Sequence, residues 1–254
     1  MKTTVRMTES AVMLAAAFAL SLINLMPMPF GGSITPCSML PVLLVAYRHG
    51  TKWGLFVGFV GALLQLLTGL QNLSWATSMT AAIAIIMLDY VAAFTALGLG
   101  GIFRRSRVPQ ALSLVGGAAV ACAVRFVCHV IAGCTVWAGV SIPDSQGLIY
   151  SLAYNAAYMV PETVLTLAAC AAIGSTVSLT ADRLRPVENV RTRATAVVGG
   201  LVGIVGVAVA AIWFFAAVQT EDGYALSAVA STDWLVVGVS LAVALVGGIA
   251  AFKQ

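Results

Sequence analysis

The sequence predicts an all-α integral membrane protein with about eight transmembrane helices and both termini in the cytoplasm. Apolar residues make up 61% of its 254 residues and charged residues only 9%, against roughly 45–50% and about 25% in soluble domains. The apolar residues recur in long runs from residue 11 to residue 252, so they are more than a removable export signal. Most of the charged residues lie in clusters between these runs. The lipid bilayer is therefore the solvent for most of the chain.

A helix needs about 20 residues to cross the hydrocarbon layer, and this length divides the chain into eight helices. We expect them at 9–27, 39–49, 53–70, 77–102, 109–138, 148–178, 195–218 and 233–252. The second helix is too short to cross, and the prolines and glycines of 27–38 before it forbid a continuous helix. Irregular backbone at membrane depth needs protein or a polar cavity around it. This region therefore favours a cavity or lid near the outer surface, with a plain exposed connection and a tilted short span as the alternative.

The basic residues predict the orientation, because Lys and Arg are concentrated in cytoplasmic loops. With eight crossings, every Lys and Arg except Arg125 falls on one side, whereas the opposite loops carry acidic residues and no Lys or Arg. We therefore expect a multi-pass protein of the cell membrane. The Arg-rich segment 181–194 is predicted to be a cytoplasmic linker between a six-helix domain at 1–180 and an additional two-helix hairpin at 195–254. Glycines at close-packing spacing predict that the hairpin serves packing and carries no chemistry.

Ionisable residues inside the predicted helices indicate a site. Asp89, Arg125 and Glu162 lie in the fourth, fifth and sixth helices. Placing such groups at the bilayer centre costs a few kcal/mol each, so they normally face a protein interior or a watery cavity. These helices are therefore expected to share an inner face. The alternative is a structural ion pair of Arg125 with Glu162 or Asp89 that holds the helices together.

Polar and aromatic residues surround these charges, mainly in the outer halves of the three helices. They are Tyr90, His129, Trp137, Tyr150, Asn155 and Tyr158. Trp and Tyr faces attract cations and stack on heteroaromatic rings, Asp89 supplies the opposite charge, and Asn155 offers a donor and an acceptor. This set suits a flat, nitrogen-containing aromatic ligand that carries positive charge.

The sequence lacks common catalytic motifs. It has no H-E-x-x-H, no G-x-S-x-G and no P-loop, and its five cysteines form no C-x-x-C pair. We therefore expect neither catalysis nor a metal site, and nucleic-acid binding has no support. A small intramembrane enzyme using His129 and Glu162 as acid and base stays as the alternative.

Three stretches resemble the thiamine-specific membrane subunit, or S component, of energy-coupling factor (ECF) vitamin transporters. They are 88–90 (LDY), 125–137 (RFVCHVIAGCTVW) and 150–162 (YSLAYNAAYMVPE), and the resemblance covers roughly residues 8–178. It implies a six-helix subunit that captures thiamine from outside with very high affinity, while the loop before the short second helix closes over the ligand. Residues 1–180 would be this substrate-binding domain.

The resemblance also implies roles for individual residues. His129, Tyr150 and Asn155 would bind the pyrimidine or ring nitrogens, Trp137 would stack on the vitamin, and the Asp89-Tyr90 pair would face the thiazolium. The family usually has Glu where Asp89 stands, and it places a Trp in the first loop, whereas residues 30–38 contain none. Another cationic or heteroaromatic compound, such as a thiamine precursor, is the alternative ligand.

Alanines at 11, 15 and 19 form a small-residue seam on the first helix, which lets another helix approach closely. Ala11, Ala15 and Ala19 are similar to the alanine motif by which such subunits dock on the ECF coupling protein. The alternative is an ordinary packing stripe. The resemblance implies that two cytoplasmic ATPases use ATP to supply the energy, so no cofactor is expected in this chain.

Overall fold

The computed structural model describes residues 3–28, 32–136, 147–180, 184–186, 194–220, 223–224 and 226–252. Within these residues the chain forms eight main helices. They are α1 (Thr3–Ser21), α2 (Leu40–His49), α3 (Thr51–Thr68), α4 (Met79–Gly101), α5 (Gln110–Thr135), α6 (Gly147–Thr176), α7 (Ala194–Val218) and α8 (Trp234–Phe252). Five of them, α3 to α7, are long and apolar enough to cross a membrane. The predicted all-α, multi-pass membrane fold is therefore confirmed.

The first helix differs from its predicted range. It begins and ends six residues earlier than the expected 9–27, whereas every other predicted helix boundary lies within three residues of the observed one. The polar first turns are helical, and Ser10 Oγ donates to the carbonyl oxygen of Arg6 at 2.7 Å. At the other end the chain leaves the helix because Leu25 N donates to the carbonyl oxygen of Ile34 at 2.9 Å.

Within the described residues, three short antiparallel strand pairs lie between the helices. In the connection from α1 to α2, β1 (Met26–Pro27) pairs with β2 (Ser33–Ile34), with Met26 opposite Ile34. We call residues 22–28 and 32–39 together the lid segment. The other pairs are β3 (Val177–Ser178) with β4 (Arg185–Pro186) and β5 (Gln219–Thr220) with β6 (Gly223–Tyr224).

The short helix α2 forms the centre of the core. Eight of its ten residues are buried, and Leu43 and Tyr47 pack in one cluster with Leu97 of α4 and Leu114 of α5. The end of α4 approaches α3 at backbone distance, since a Cβ added at Gly98 would collide with the backbone of Leu55. A helix too short to span is thus buried within the helices around it.

One end of the bundle is closed by a charged network. Arg48, at the end of α2, donates from Nε and Nη2 to the two carboxylate oxygens of Glu9 at 2.7 and 3.0 Å. Its Nη1 donates to the carbonyl oxygen of Leu179, after α6, at 2.8 Å. These bonds join the start of α1 to the end of α2 and to the chain that follows α6.

The helices α7 and α8 pack closely against each other. A Cβ added at Gly206 would lie 2.6 Å from the carbonyl oxygen of Ser240, and one at Gly247 would lie 2.5 Å from that of Gly199. Only glycine allows backbones to approach this closely. The hairpin also packs on α6 through α7.

Candidate functional site

A cavity of about 780 Å³ lies at the end of the bundle away from the Glu9–Arg48 network. Its wall comes from the end of α1, the lid segment, the end of α3, the middle of α4, the second half of α5 and the first half of α6. Parts of the chain that are distant in sequence therefore meet around the cavity.

The middle of α4 departs from α-helical geometry where it meets the cavity. Residues Ile86–Ala92 form a π-helix, a rare geometry that occurs frequently at functional sites. Asp89 and Tyr90 both line the cavity from this segment. The Tyr90 hydroxyl donates to the carbonyl oxygen of Gly69 at 3.1 Å and accepts from Asn72 Nδ2 at 2.9 Å. These two bonds fix α4 to the end of α3.

Asp89 and His129 form the polar contact between α4 and α5. His129 Nδ1 lies 3.0 Å from Asp89 Oδ1, and both side chains are mostly buried. Because a carboxylate accepts, Nδ1 carries the hydrogen, and Nε2 of a neutral imidazole is then an acceptor. Within the described part of the chain, the buried His129 Nε2 has no hydrogen-bond partner. The imidazole is thus oriented by Asp89 and keeps one acceptor for a ligand.

Asn155 and Tyr158 extend this network along α6. Asn155 Nδ2 donates to the carbonyl oxygens of Ser151 at 2.9 Å and His129 at 3.3 Å. Its Oδ1 accepts from the Tyr158 hydroxyl at 2.9 Å. Asn155 and Tyr158 line the cavity and are each about 5% exposed. Asn155 therefore holds α6 against α5 next to His129.

Arg125 and Glu162 form a second, deeper network in the cavity wall. Arg125 Nη1 donates to Glu162 Oε2 at 2.9 Å. The other oxygen, Oε1, accepts from Ser38 Oγ at 3.2 Å and from the Thr35 hydroxyl. Glu162 is 1% exposed. Of the two partners that the sequence left open for Arg125, the structure selects Glu162, and the pair also anchors the base of the lid segment.

The remaining predicted residues differ in their positions. Tyr150 is buried but is not among the described residues that line the cavity. Its ring stacks on the ring of Tyr154, which does line the cavity, and the two ring centroids lie 6.2 Å apart. Direct contact of Tyr150 with a ligand stays a prediction, and Tyr154 is the neighbouring ring that lines the described part of the cavity. Trp137 lies outside the described residues. The three alanines of the seam, Ala11, Ala15 and Ala19, are exposed on α1.

Sequence reasoning missed one wall of the cavity. Gln65 near the end of α3, and Asn72 and Trp75 of the following 3₁₀ helix Leu70–Trp75, line it. A signal was present, since five polar residues fall within 65–74 in an otherwise apolar chain, directly before Trp75. Trp75 supplies an indole face that the sequence analysis had not assigned to the site.

The charges of the described cavity wall favour a cation. The wall contains the carboxylates of Asp89 and Glu162 and the guanidinium of Arg125. Because Arg125 neutralises Glu162, Asp89 gives the wall one carboxylate in excess. Such a charge, with low-dielectric walls around it, raises the local concentration of a cationic ligand.

Comparison with known proteins agrees with this site. Residues 7–180 match the family described as thiamine transporter protein, Thia_YuaJ. The chain is 33% identical over 194 residues to the thiamine transporter ThiT of Bacillus subtilis, and this alignment covers 72% of this chain and 95% of that protein. A solved structure of ThiT from Listeria monocytogenes shares the fold, with a TM-score of 0.55 and 23% identity over 67% of this chain and 93% of that one. The predicted resemblance to thiamine transporters is thus confirmed, and the chain belongs to the thiamine transporter protein family.

Proposed function

We propose that this protein is the high-affinity, substrate-binding membrane subunit of an ECF-type vitamin importer, and that its ligand is thiamine. The observation that carries the proposal is the Asp89–His129 pair in the wall of the cavity, in a chain of the thiamine transporter protein family. Thiamine joins a cationic thiazolium to an aminopyrimidine, so it needs both a negative charge and acceptors for its amino group.

The thiazolium of thiamine suits Asp89, and its aminopyrimidine suits His129. The excess carboxylate of Asp89 and the rings of Tyr90 and Trp75 suit the thiazolium, because aromatic faces attract cations. The acceptor Nε2 of His129 suits the amino group of the pyrimidine. The volume of about 780 Å³ lies within the roughly 300–1,000 Å³ of small-molecule sites.

The polar groups support binding in preference to catalysis. The enzyme alternative needs His129 and Glu162 to act together as acid and base. The structure instead pairs His129 with Asp89 and gives both oxygens of Glu162 hydrogen-bond donors from Arg125, Ser38 and Thr35. A binding subunit should retain its ligand unchanged, whereas an enzyme would convert it.

The test is titration of the purified protein with thiamine, followed by tryptophan fluorescence and calorimetry. We expect saturable quenching with one ligand per chain, because Trp75 lines the cavity. The control variant is Asp233→Asn, which removes an exposed carboxylate just before α8, and it should bind thiamine as the wild-type protein does. No quenching and no heat at millimolar thiamine would refute the proposal. Tighter binding of a separate pyrimidine or thiazole compound would instead assign the site to a precursor.

The partner proposal rests on the exposed seam of α1. The exposed alanines Ala11, Ala15 and Ala19 leave room for close approach of a helix. We place the ECF coupling subunit there, with two cytoplasmic ATPases supplying the energy from ATP. Both termini of this chain would be cytoplasmic, as the distribution of Lys and Arg indicates. Reporter fusions at each terminus test this orientation.

A further inference from the structure

The C-terminal hairpin of α7 and α8 lies outside residues 7–180, which match the family. It nevertheless contacts the substrate-binding part of the molecule. Phe215, near the end of α7, packs on a buried apolar cluster of Met28, Ile34, Ala157, Tyr158 and Met159. Met28 and Ile34 belong to the lid segment and the other three to α6. We call these five residues the lid cluster.

Among the described residues, the strands of the lid segment form only a small hairpin over the cavity. Its strands β1 and β2 are two residues each, and so small a hairpin is marginal by itself. Its backbone lies instead on the ring of Tyr158. Gly32 has φ +83°, and a Cβ added there would lie 3.0 Å from Tyr158 Cε1. Thr35 and Ser38 hold the base of the lid segment on Glu162 of α6, and packing of the lid cluster fixes the part around Met28 and Ile34 on the same helix.

The hairpin gives Phe215 a firm support. The neighbouring residue, Phe214, faces α8, with its ring centroid 6.0 Å from that of Trp234. Glycines bring the backbones of α7 and α8 into contact further along, at Gly206 and Gly247. The two adjacent phenylalanine rings contact each other, with centroids 5.2 Å apart, but their other partners differ. Phe214 contacts Trp234 of α8, and Phe215 contacts the lid cluster.

We infer that the C-terminal hairpin is a support for the lid and that Phe215 is the positioning residue through which it keeps the lid closed over the bound ligand. This inference rests on the proposed function, since it assigns the hairpin to retention of the same ligand. Tyr158 transmits the effect, because it packs in the lid cluster and also lines the cavity. Removing the Phe215 ring should loosen the lid and shorten the residence time of thiamine.

The experiment compares Phe215→Ala with Phe214→Ala in the full chain. Dissociation of radiolabelled thiamine is followed after adding an excess of unlabelled ligand. We expect Phe215→Ala to raise the dissociation rate about tenfold, equivalent to about 1.4 kcal/mol, and Phe214→Ala to change it less than about twofold. Phe215→Leu, which keeps most of the apolar volume, should give a smaller increase in the same direction. Equal rates for Phe215→Ala and Phe214→Ala would overturn the inference.

A second measurement needs no ligand. Hydrogen–deuterium exchange of the unliganded protein reports the amides of Leu25 and Met28, which donate to Ile34 and Gly32 within the lid segment. We expect faster exchange there in Phe215→Ala but not in Phe214→Ala, and unchanged exchange in Phe215→Ala would overturn the inference. If the wild-type protein binds no thiamine, the proposed function fails, while the exchange data still decide whether Phe215 supports the lid.

Discussion

Removing the carboxylate of Glu162 should be the most destabilising single change in the cavity wall. This carboxylate is 1% exposed and accepts from Arg125, Ser38 and Thr35. Glu162→Ala would leave the guanidinium of Arg125, itself 7% exposed, as an uncompensated buried charge. Breaking a buried pair in this way costs about 3–5 kcal/mol. At about 2–4 °C per kcal/mol for a chain near this size, the midpoint of thermal unfolding should fall by about 6–20 °C.

The assay is thermal unfolding of purified protein in detergent, and a second variant separates charge from packing. Glu162→Met combined with Arg125→Met removes both charges and keeps the volume, so its midpoint should lie above that of Glu162→Ala, because replacing a buried pair by apolar residues is often neutral. Asp233 is exposed and its Oδ1 caps the start of α8 by accepting from Leu235 N and Val236 N; because Asn caps a helix about as well as Asp, Asp233→Asn should change the stability by less than about 0.5 kcal/mol. A Glu162→Ala protein as stable as Asp233→Asn would refute the reasoning, as would a double variant less stable than Glu162→Ala.

Three further predictions concern binding, lid closure and transport. Asp89→Asn keeps the size of the side chain but removes the excess negative charge, so thiamine affinity measured by calorimetry should fall about 10–100-fold, or about 1.4–2.8 kcal/mol; unchanged affinity would show that the charge is not used. Gly32→Ala should speed thiamine dissociation, because Gly32 has φ +83° and lies against the ring of Tyr158. The control Gly50→Ala, at φ +94° in the opposite end of the bundle, should lower the melting temperature without changing the dissociation rate. Equal dissociation rates for the two variants would contradict this prediction. Ala15→Leu should abolish ATP-driven thiamine uptake in vesicles containing the partner subunits while leaving binding intact, and normal uptake would exclude this face as the docking site.

The pairing of charges shows where sequence reasoning stops. Spacing along α4, α5 and α6 placed Asp89, Arg125, His129 and Glu162 on facing sides, but it left Arg125 with two possible partners. The choice depends on the distances between helices, which the periodicity of one helix does not contain. In the structure His129 pairs with Asp89, and Arg125 pairs with Glu162.

Other parts of the site escaped prediction for local reasons. Asn72 and Trp75 follow α3 in a short 3₁₀ helix, where no helical period marks the side that faces the cavity. The π-helix at Ile86–Ala92 has no composition that distinguishes it from α-helix. The helix α1 begins six residues before its predicted start, because its first turns are polar and do not belong to an apolar run.

The sequence by itself determined the membrane fold and the approximate bounds of the helices, because a bilayer of fixed thickness requires apolar runs of fixed length. It also determined which ionisable residues face the protein interior, because charge inside lipid is costly wherever it lies. Only the tertiary structure decided that Glu162 anchors the lid segment and that Phe215 of the C-terminal hairpin packs on the cluster that joins the lid segment to α6. Those contacts join residues far apart in the chain, and their formation depends on how the helices pack in three dimensions.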